Sequence, residues 1–250
     1  MPRYGSPAST ISFGPGPLSS AMKALIGVNV AVFVASTILP ALTIAFGLVP
    51  VAVVTRFQVW QLVTYMFVHG GLTHLLFNML ALWMFGTELE RRWGTRYFLK
   101  FYFWTGIGSG LITLGVSWLP FAFAESLRYS VIIGASGAIY GLLMAYAIYY
   151  PERPILLIIF PLPARIFVLI VGAMALFSSV TGAQGGVASA THLGGLVVGY
   201  LMLRGPRLNP LLEVKYRFSK WKLNRARRKF DVYAGGRSTS GPSDWNRRVH

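Results

Sequence analysis

The 250-residue chain contains no cysteine. That excludes disulfides, a thiol nucleophile and any cysteine-based metal site. Acidic residues are also scarce, 7 Asp and Glu against 23 Lys and Arg, and charged residues of both signs make up only 12% of the sequence. What fills the space instead is apolar: 54% of residues are hydrophobic and the mean hydropathy is +0.57. This departs from the charge-rich profile of a soluble domain and predicts a multi-span, all-α membrane protein.

No charged residue occurs from Ala24 to Thr55, Phe57 to Thr87, Phe101 to Ala124, Tyr129 to Pro151 or Ile166 to Leu203. A helix crosses a hydrocarbon core of about 30 Å with roughly 20 apolar residues, so each run is long enough to span. The last run holds two crossings, separated by the small and polar stretch Thr181 to Thr191. Six helices are therefore expected, near 22–46, 71–90, 97–118, 132–150, 164–181 and 189–204.

Basic residues set the orientation, because Lys and Arg near span ends stay on the cytoplasmic side. With the N-terminus inside, the inner segments hold 21 of the 23 basic residues, and only Arg56 and Arg128 fall outside. Six spans with both termini cytoplasmic follow from that asymmetry. It also accounts for most of the net charge of +16, so no nucleic-acid partner is expected. Domain organisation reads as a Pro-, Gly- and Ser-rich N-terminal tail over 1–20, a helical domain over 21–204 and a basic cytoplasmic tail over 205–250. The segment Lys215 to Lys229, with aromatics between its charges, suits a surface of anionic lipid. The first apolar run is too long for a signal peptide and is expected to be a retained helix.

Polar residues inside spans are costly and become functional candidates by default. The second span carries His69, His74 and Asn78, the fourth Ser136 and Tyr140, and the sixth His192. His74 and Asn78, like Ser136 and Tyr140, are four apart and share a helix face. Spans two, four and six all run from outside to inside, so His74, Ser136 and His192 fall at one depth, about 5–10 Å below the outer surface at 1.5 Å per residue. Gly137 with Gly141, and Gly195 with Gly199, form two G-x-x-x-G patterns that let helix backbones approach in lipid. If the fourth and sixth helices pack along these faces, Ser136 meets His192 as a nucleophile beside its general base. Taken singly, Ser136 reads as a packing residue, and each histidine or Asn78 equally as an interhelical hydrogen bond. Their common depth on three co-oriented spans favours chemistry.

These residues resemble the rhomboid intramembrane serine proteases over Trp60 to Leu203. The carriers are H-x-x-x-N (His74, Asn78), G-x-S-G (Gly134 to Gly137) and H-x-x-G-x-x-x-G (His192, Gly195, Gly199), in the family's order. The resemblance implies a six-helix bundle of rhomboid type and a Ser136–His192 dyad with no acidic third member. It implies an oxyanion hole from His74, Asn78 and the Ser136 amide, and a Tyr140 packed against His192. Gly134, Gly137, Gly195 and Gly199 become supporting residues, and no metal or cofactor is expected. The substrates would be transmembrane proteins, cleaved in a cavity open to the outer face of a prokaryotic cell membrane, beneath a cap at Thr181 to Ala190. Entry beside the fifth helix is a further implication. Glu90 and Arg92 match an inner-face ion pair, Trp60 matches a tryptophan of a half-embedded first loop, and Gln61 stands where the family often has arginine.

Two other classes are compatible with parts of this pattern. A catalytically silent relative would bind transmembrane segments for quality control, but such relatives typically lack the serine or the histidine. A transporter could use the histidines as a proton relay, yet there are no paired carboxylates in the spans and no internal repeat.

Overall fold

The computed structural model describes residues 15–120, 122–157, 160–181 and 186–204. The expected tails before residue 15 and after residue 204, and residues 182–185 of the expected cap, lie outside the described residues. The elements are helical except for one short hairpin.

The first helix, α1, runs Ser20–Ile38. Ser19 caps it by accepting from the Met22 N–H at 3.0 Å, and Pro40, which disfavours helical backbone just before it, follows the last turn. Nineteen residues rise about 28 Å, close to the thickness of a hydrocarbon core. The expected helix over 22–46 therefore ends early, and its last residues form a separate short helix, α2 (Ala41–Phe46). Two more short helices, α3 (Pro50–Thr55) and α4 (Gln61–Thr64), continue the loop, and α4 extends as a 3₁₀ turn over Tyr65–Phe67. The chain then bends by 97° into the second long helix.

That helix comprises α5 (Leu72–Ala81), a π-helical segment (Leu82–Gly86) and α6 (Thr87–Trp93). Gly94, at φ +78°, breaks the chain before α7 (Thr95–Val116). The buried residues of α7, Phe98, Phe101, Tyr102, Thr105, Gly106, Ser109, Gly110 and Thr113, recur every three or four positions and form one stripe. Its N-terminal half is aromatic and its C-terminal half small, so α7 serves as the axis on which other helices pack closely. Leu72, Leu76, Phe77, Trp104, Leu169 and Met174 point outward and are exposed.

After α8 (Ala122–Tyr129), the chain does not become helical at residue 132 as expected. Ile132 pairs with Leu48 through two 2.8 Å backbone bonds, and Gly134 adopts φ +117°. The helix α9 begins only at Ser136 and ends at Tyr149. Its 14 residues rise about 21 Å, too little to span a hydrocarbon core alone. The entry segment instead satisfies backbone groups against the first loop, Ile132 with Leu48 and Gly134 N–H with the Tyr65 carbonyl.

An antiparallel hairpin, β1 (Pro154–Leu157) and β2 (Phe160–Pro163), pairs Pro154 with Pro163 and Leu157 with Phe160. It leads into α10 (Ala164–Thr181), and α11 (Gly186–Arg204) follows.

Glu90 and Arg92 do not form the expected ion pair. Buried Glu90 accepts from Ser19 Oγ at 2.6 Å and Thr95 Oγ1 at 2.7 Å. The Arg92 guanidinium instead lies over the Tyr149 ring, 4.4 Å from its centroid. Their sites face different neighbours because two residues along a helix diverge by most of a half-turn. Within α6 it is Glu88 that pairs with an arginine, meeting Arg153 Nη1 at 2.5 Å.

Candidate active site

Ser136 is the first residue of α9. Its N–H therefore has no acceptor within its own helix, and the positive end of the helix dipole lies beside its hydroxyl. Across from it, His192 Nε2 lies 2.8 Å from Ser136 Oγ. With Nε2 accepting the serine proton, the ring proton of neutral His192 belongs on Nδ1.

One turn along α9, the Tyr140 ring stacks on the His192 imidazole, with centroids 4.2 Å apart and planes 5° from parallel. Tyr140 thus blocks one face of the histidine and limits its rotation.

His74 approaches from α5. A Cβ on Gly134 would fall 2.8 Å from His74 Cε1 and Nε2 and 3.7 Å from Ser136 Oγ. The imidazole edge therefore occupies the space that a side chain at 134 would take, next to the serine. Gly70 N–H points at His74 Nδ1 at 3.4 Å, which makes Nδ1 the acceptor and assigns the proton to Nε2. The donor edge of His74 is the one that faces the Gly134–Ser136 turn. Asn78 is buried, and its Nδ2 donates to His74 O at 2.8 Å. That amide makes no hydrogen bond to Ser136 or His192. His69 sits edge-on to His74, centroids 5.0 Å apart, and bonds through Nδ1 to Phe67 O at 3.2 Å.

The glycines divide their work differently from the simplest reading of two facing G-x-x-x-G stripes. Positions 137 and 141 turn their missing side chains toward α7, where a Cβ would meet Ser109 Oγ at 2.7 Å and Thr105 Cβ at 2.6 Å. Gly195 and Gly199 face α9, where a Cβ would strike the Gly137 carbonyl oxygen and the Gly141 backbone. Backbone of α9 is thus sandwiched between α7 and α11.

Several contributors make contacts that sequence reasoning does not assign, both at positions it singles out, Trp60 and Gln61, and at ones it does not, Ser109 and Thr191. Gln61 is fully buried and ties the first loop together: Oε1 accepts from Val49 N at 2.9 Å, while Nε2 donates to Gln58 Oε1 at 2.8 Å and Ile44 O at 3.2 Å. Trp60 Nε1 donates to Ala45 O at 3.0 Å in the same loop. Ser109 and Thr191 meet between α7 and α11. Their only sequence signals are adjacency to His192 and the four-residue spacing of Ser109 and Thr113.

Among the described residues no group of three or more His, Cys, Asp or Glu side chains is arranged to hold a metal ion. Residues 56–205 match the Rhomboid domain family. The chain belongs to the rhomboid family. Its rhomboid relatives include Rhomboid protein 1, mitochondrial, of Saccharomyces cerevisiae, 34% identical over 139 residues covering 54% of this chain and 38% of the relative. Rhomboid protease GluP of Bacillus subtilis is 31% identical over 157 residues, covering 63% and 28%. Rhomboid protease AarA of Providencia stuartii is 32% identical over 154 residues, covering 57% and 54%. In each case the match spans little more than half of the relative's length, or less. Rhomboid membership makes the chain a multi-pass membrane protein.

Proposed function

We propose that this rhomboid is an intramembrane serine endopeptidase that hydrolyses peptide bonds in or near transmembrane segments, with Ser136 as nucleophile and His192 as general base. The observation that carries this reading is the 2.8 Å contact between His192 Nε2 and Ser136 Oγ, two residues 56 positions apart. In the first step the Ser136 hydroxyl gives its proton to His192 Nε2 while Oγ bonds to the scissile carbonyl carbon. The resulting oxyanion is stabilised by the Ser136 N–H, by His74 Nε2–H and by Asn78, donors aimed at the charge that develops. His192 then passes the proton to the leaving amine, and water repeats the sequence on the acyl-enzyme. Asn78 donates to a carbonyl of its own helix in the resting arrangement, so its role requires the amide to turn toward the oxyanion.

The six crossings, with both termini cytoplasmic and the dyad near the outer face, belong to the same proposal and rest on the distribution of basic residues. The 97° bend before α5 and the shortness of α9 fit it, because the first loop and residues 130–135 are hydrogen-bonded to one another as non-helical chain within a bilayer must be. A prokaryotic cell membrane is the proposed location, transmembrane proteins the proposed substrates, and anionic lipid the proposed partner of the basic tail.

The test is cleavage of a model transmembrane substrate in liposomes by the wild type, Ser136→Ala and His192→Ala, together with fluorophosphonate labelling of Ser136. Cleavage and labelling by the wild type, both lost in the serine variant, are expected. Continued cleavage by Ser136→Ala overturns the nucleophile assignment, and a folded wild type that neither labels nor cleaves points to a silent, substrate-binding rhomboid.

A further inference from the structure

Three buried hydroxyls form a closed circuit between α7 and α11. Ser109 Oγ donates to the Thr191 carbonyl, Thr113 Oγ1 donates to the Ser109 carbonyl at 2.9 Å, and Thr113 Oγ1 lies 3.0 Å from Thr191 Oγ1. Each hydroxyl has one proton to give. Thr113 has already given its proton to Ser109, so Thr191 is the donor in the last bond and every proton in the circuit is used. All three residues are buried, Ser109 and Thr113 completely, and none takes part in the chemistry proposed above.

The position of Ser109 gives the circuit its meaning. Thr191 immediately precedes His192, and Gly137 immediately follows Ser136. A Cβ on Gly137 would lie 2.7 Å from Ser109 Oγ, and one on Gly194 would lie 3.2 Å from Ser109 Cα and O. Ser109 thus lies against the first turn of the helix that carries Ser136 and against Thr191 and Gly194, one residue before and two residues after His192. Glycine faces allow α9 and α11 to come close, but they carry no protruding side chains to fix how one helix slides or turns on the other. A directional bond in a low-dielectric interior supplies that missing constraint.

We infer that Ser109 is a positioning residue for the Ser136–His192 pair: its hydroxyl holds the Thr191 carbonyl and thereby sets the rotation of α11 that keeps His192 Nε2 against Ser136 Oγ. The inference rests on the reading of that pair as the reacting groups. Losing the hydroxyl leaves the helices packed but lets the imidazole drift, and displacements of about 1 Å in a reacting geometry lower rates by about a hundredfold.

The experiment uses the full chain in liposomes with a model transmembrane substrate, and turnover is expressed per Ser136 titrated with fluorophosphonate. Ser109→Ala is expected to lower kcat per titrated site by about 10–100-fold while KM stays within about twofold, the signature of an interaction used in the transition state. Ser109→Cys, which keeps a weak donor in nearly the same space, should recover part of the rate. Unchanged kcat per site in Ser109→Ala, with only a lower melting temperature, shows a purely structural residue and overturns the inference. If Ser109→Ala yields no titratable protein, Thr113→Val interrupts the same circuit at its far bond and must itself lower kcat per site, and an unchanged value there is equally fatal. A wild type that neither titrates nor cleaves overturns the protease reading first, and the inference with it.

Discussion

The imidazole of His74 occupies the space where Gly134 would carry a side chain: a Cβ there would lie 2.8 Å from both Cε1 and Nε2 of the ring. Gly134 also sits at φ +117°, a conformation that side chains rarely adopt and that costs about 1–3 kcal/mol when forced. Gly134→Ala is therefore expected to push His74 away from the serine and strain the turn at once. Liposome cleavage per titrated site should fall at least about tenfold, in line with a lost oxyanion donor, and wild-type rates in this variant would refute the placement of His74.

Tyr140 acts through its ring face, since it is stacked on His192. Tyr140→Phe keeps the stack and should retain most of the activity. Tyr140→Ala removes it, and an aromatic pair worth about 0.5–1.5 kcal/mol corresponds to roughly a 2–10-fold loss of kcat. Equal effects of the two substitutions would mean that the hydroxyl, not the ring, matters.

Asn78 separates a donor to the oxyanion from a helix-bound amide. As a donor recruited in the transition state, it predicts a kcat loss of about 10²–10³-fold in Asn78→Ala, with residual cleavage still measurable. A kcat within a few-fold of wild type would confine Asn78 to the 2.8 Å bond that it makes to His74 O.

Glycine positions should divide sharply by what surrounds them. In Gly195→Ala the new methyl meets the Gly137 carbonyl oxygen, a backbone atom that cannot swing aside, and overpacking of this kind costs about 1–3 kcal/mol. In Gly27→Ala nothing lies within 4 Å, and the change should stabilise α1 by up to about 1 kcal/mol through helix propensity. Thermal unfolding in detergent compares the two; a Gly195→Ala protein as stable as wild type contradicts the α9–α11 contact.

Buried polar ties should outweigh exposed ion pairs. Gln61→Ala removes three part-buried hydrogen bonds made by one fully buried side chain, each worth about 0.5–1.5 kcal/mol. Arg153→Ala removes a partner whose side chain is 49% exposed, an interaction worth about 0–1 kcal/mol. Unfolding midpoints should therefore drop more for Gln61→Ala, and the reverse order would show that the first loop does not depend on Gln61.

Much of the helical framework was legible in the sequence. The helix expected at 164–181 coincides with Ala164–Thr181, and those at 71–90 and 97–118 differ from Leu72–Trp93 and Thr95–Val116 by one to three residues at each end. Charge-free length locates such helices because a lipid environment offers their backbone no other partner. The same signal failed where the chain finds tertiary partners: Ile132 bonds to Leu48, so the four residues before Ser136 stay outside the helix although nothing in their hydropathy says so. Ion-pair reasoning failed at Glu90 and Arg92 for a related reason, since the hydroxyls of Ser19 and Thr95, distant in position or overlooked in type, satisfy the carboxylate first.

By itself the sequence determined the membrane setting, the asymmetry of basic residues, the absence of thiol chemistry, and the set of polar residues that a bilayer does not tolerate without a purpose. Those properties are sums or patterns along the chain, and every residue contributes to them whatever its neighbours are in space. The tertiary structure alone decided that His192 faces Ser136, that the missing side chain of Gly195 and not that of Gly137 opens the α9–α11 contact, and that Ser109 lies against the segments carrying Ser136 and His192. Each depends on how one helix is rotated against another, and that rotation comes from close packing and buried hydrogen bonds between residues far apart in the chain, which no local pattern records.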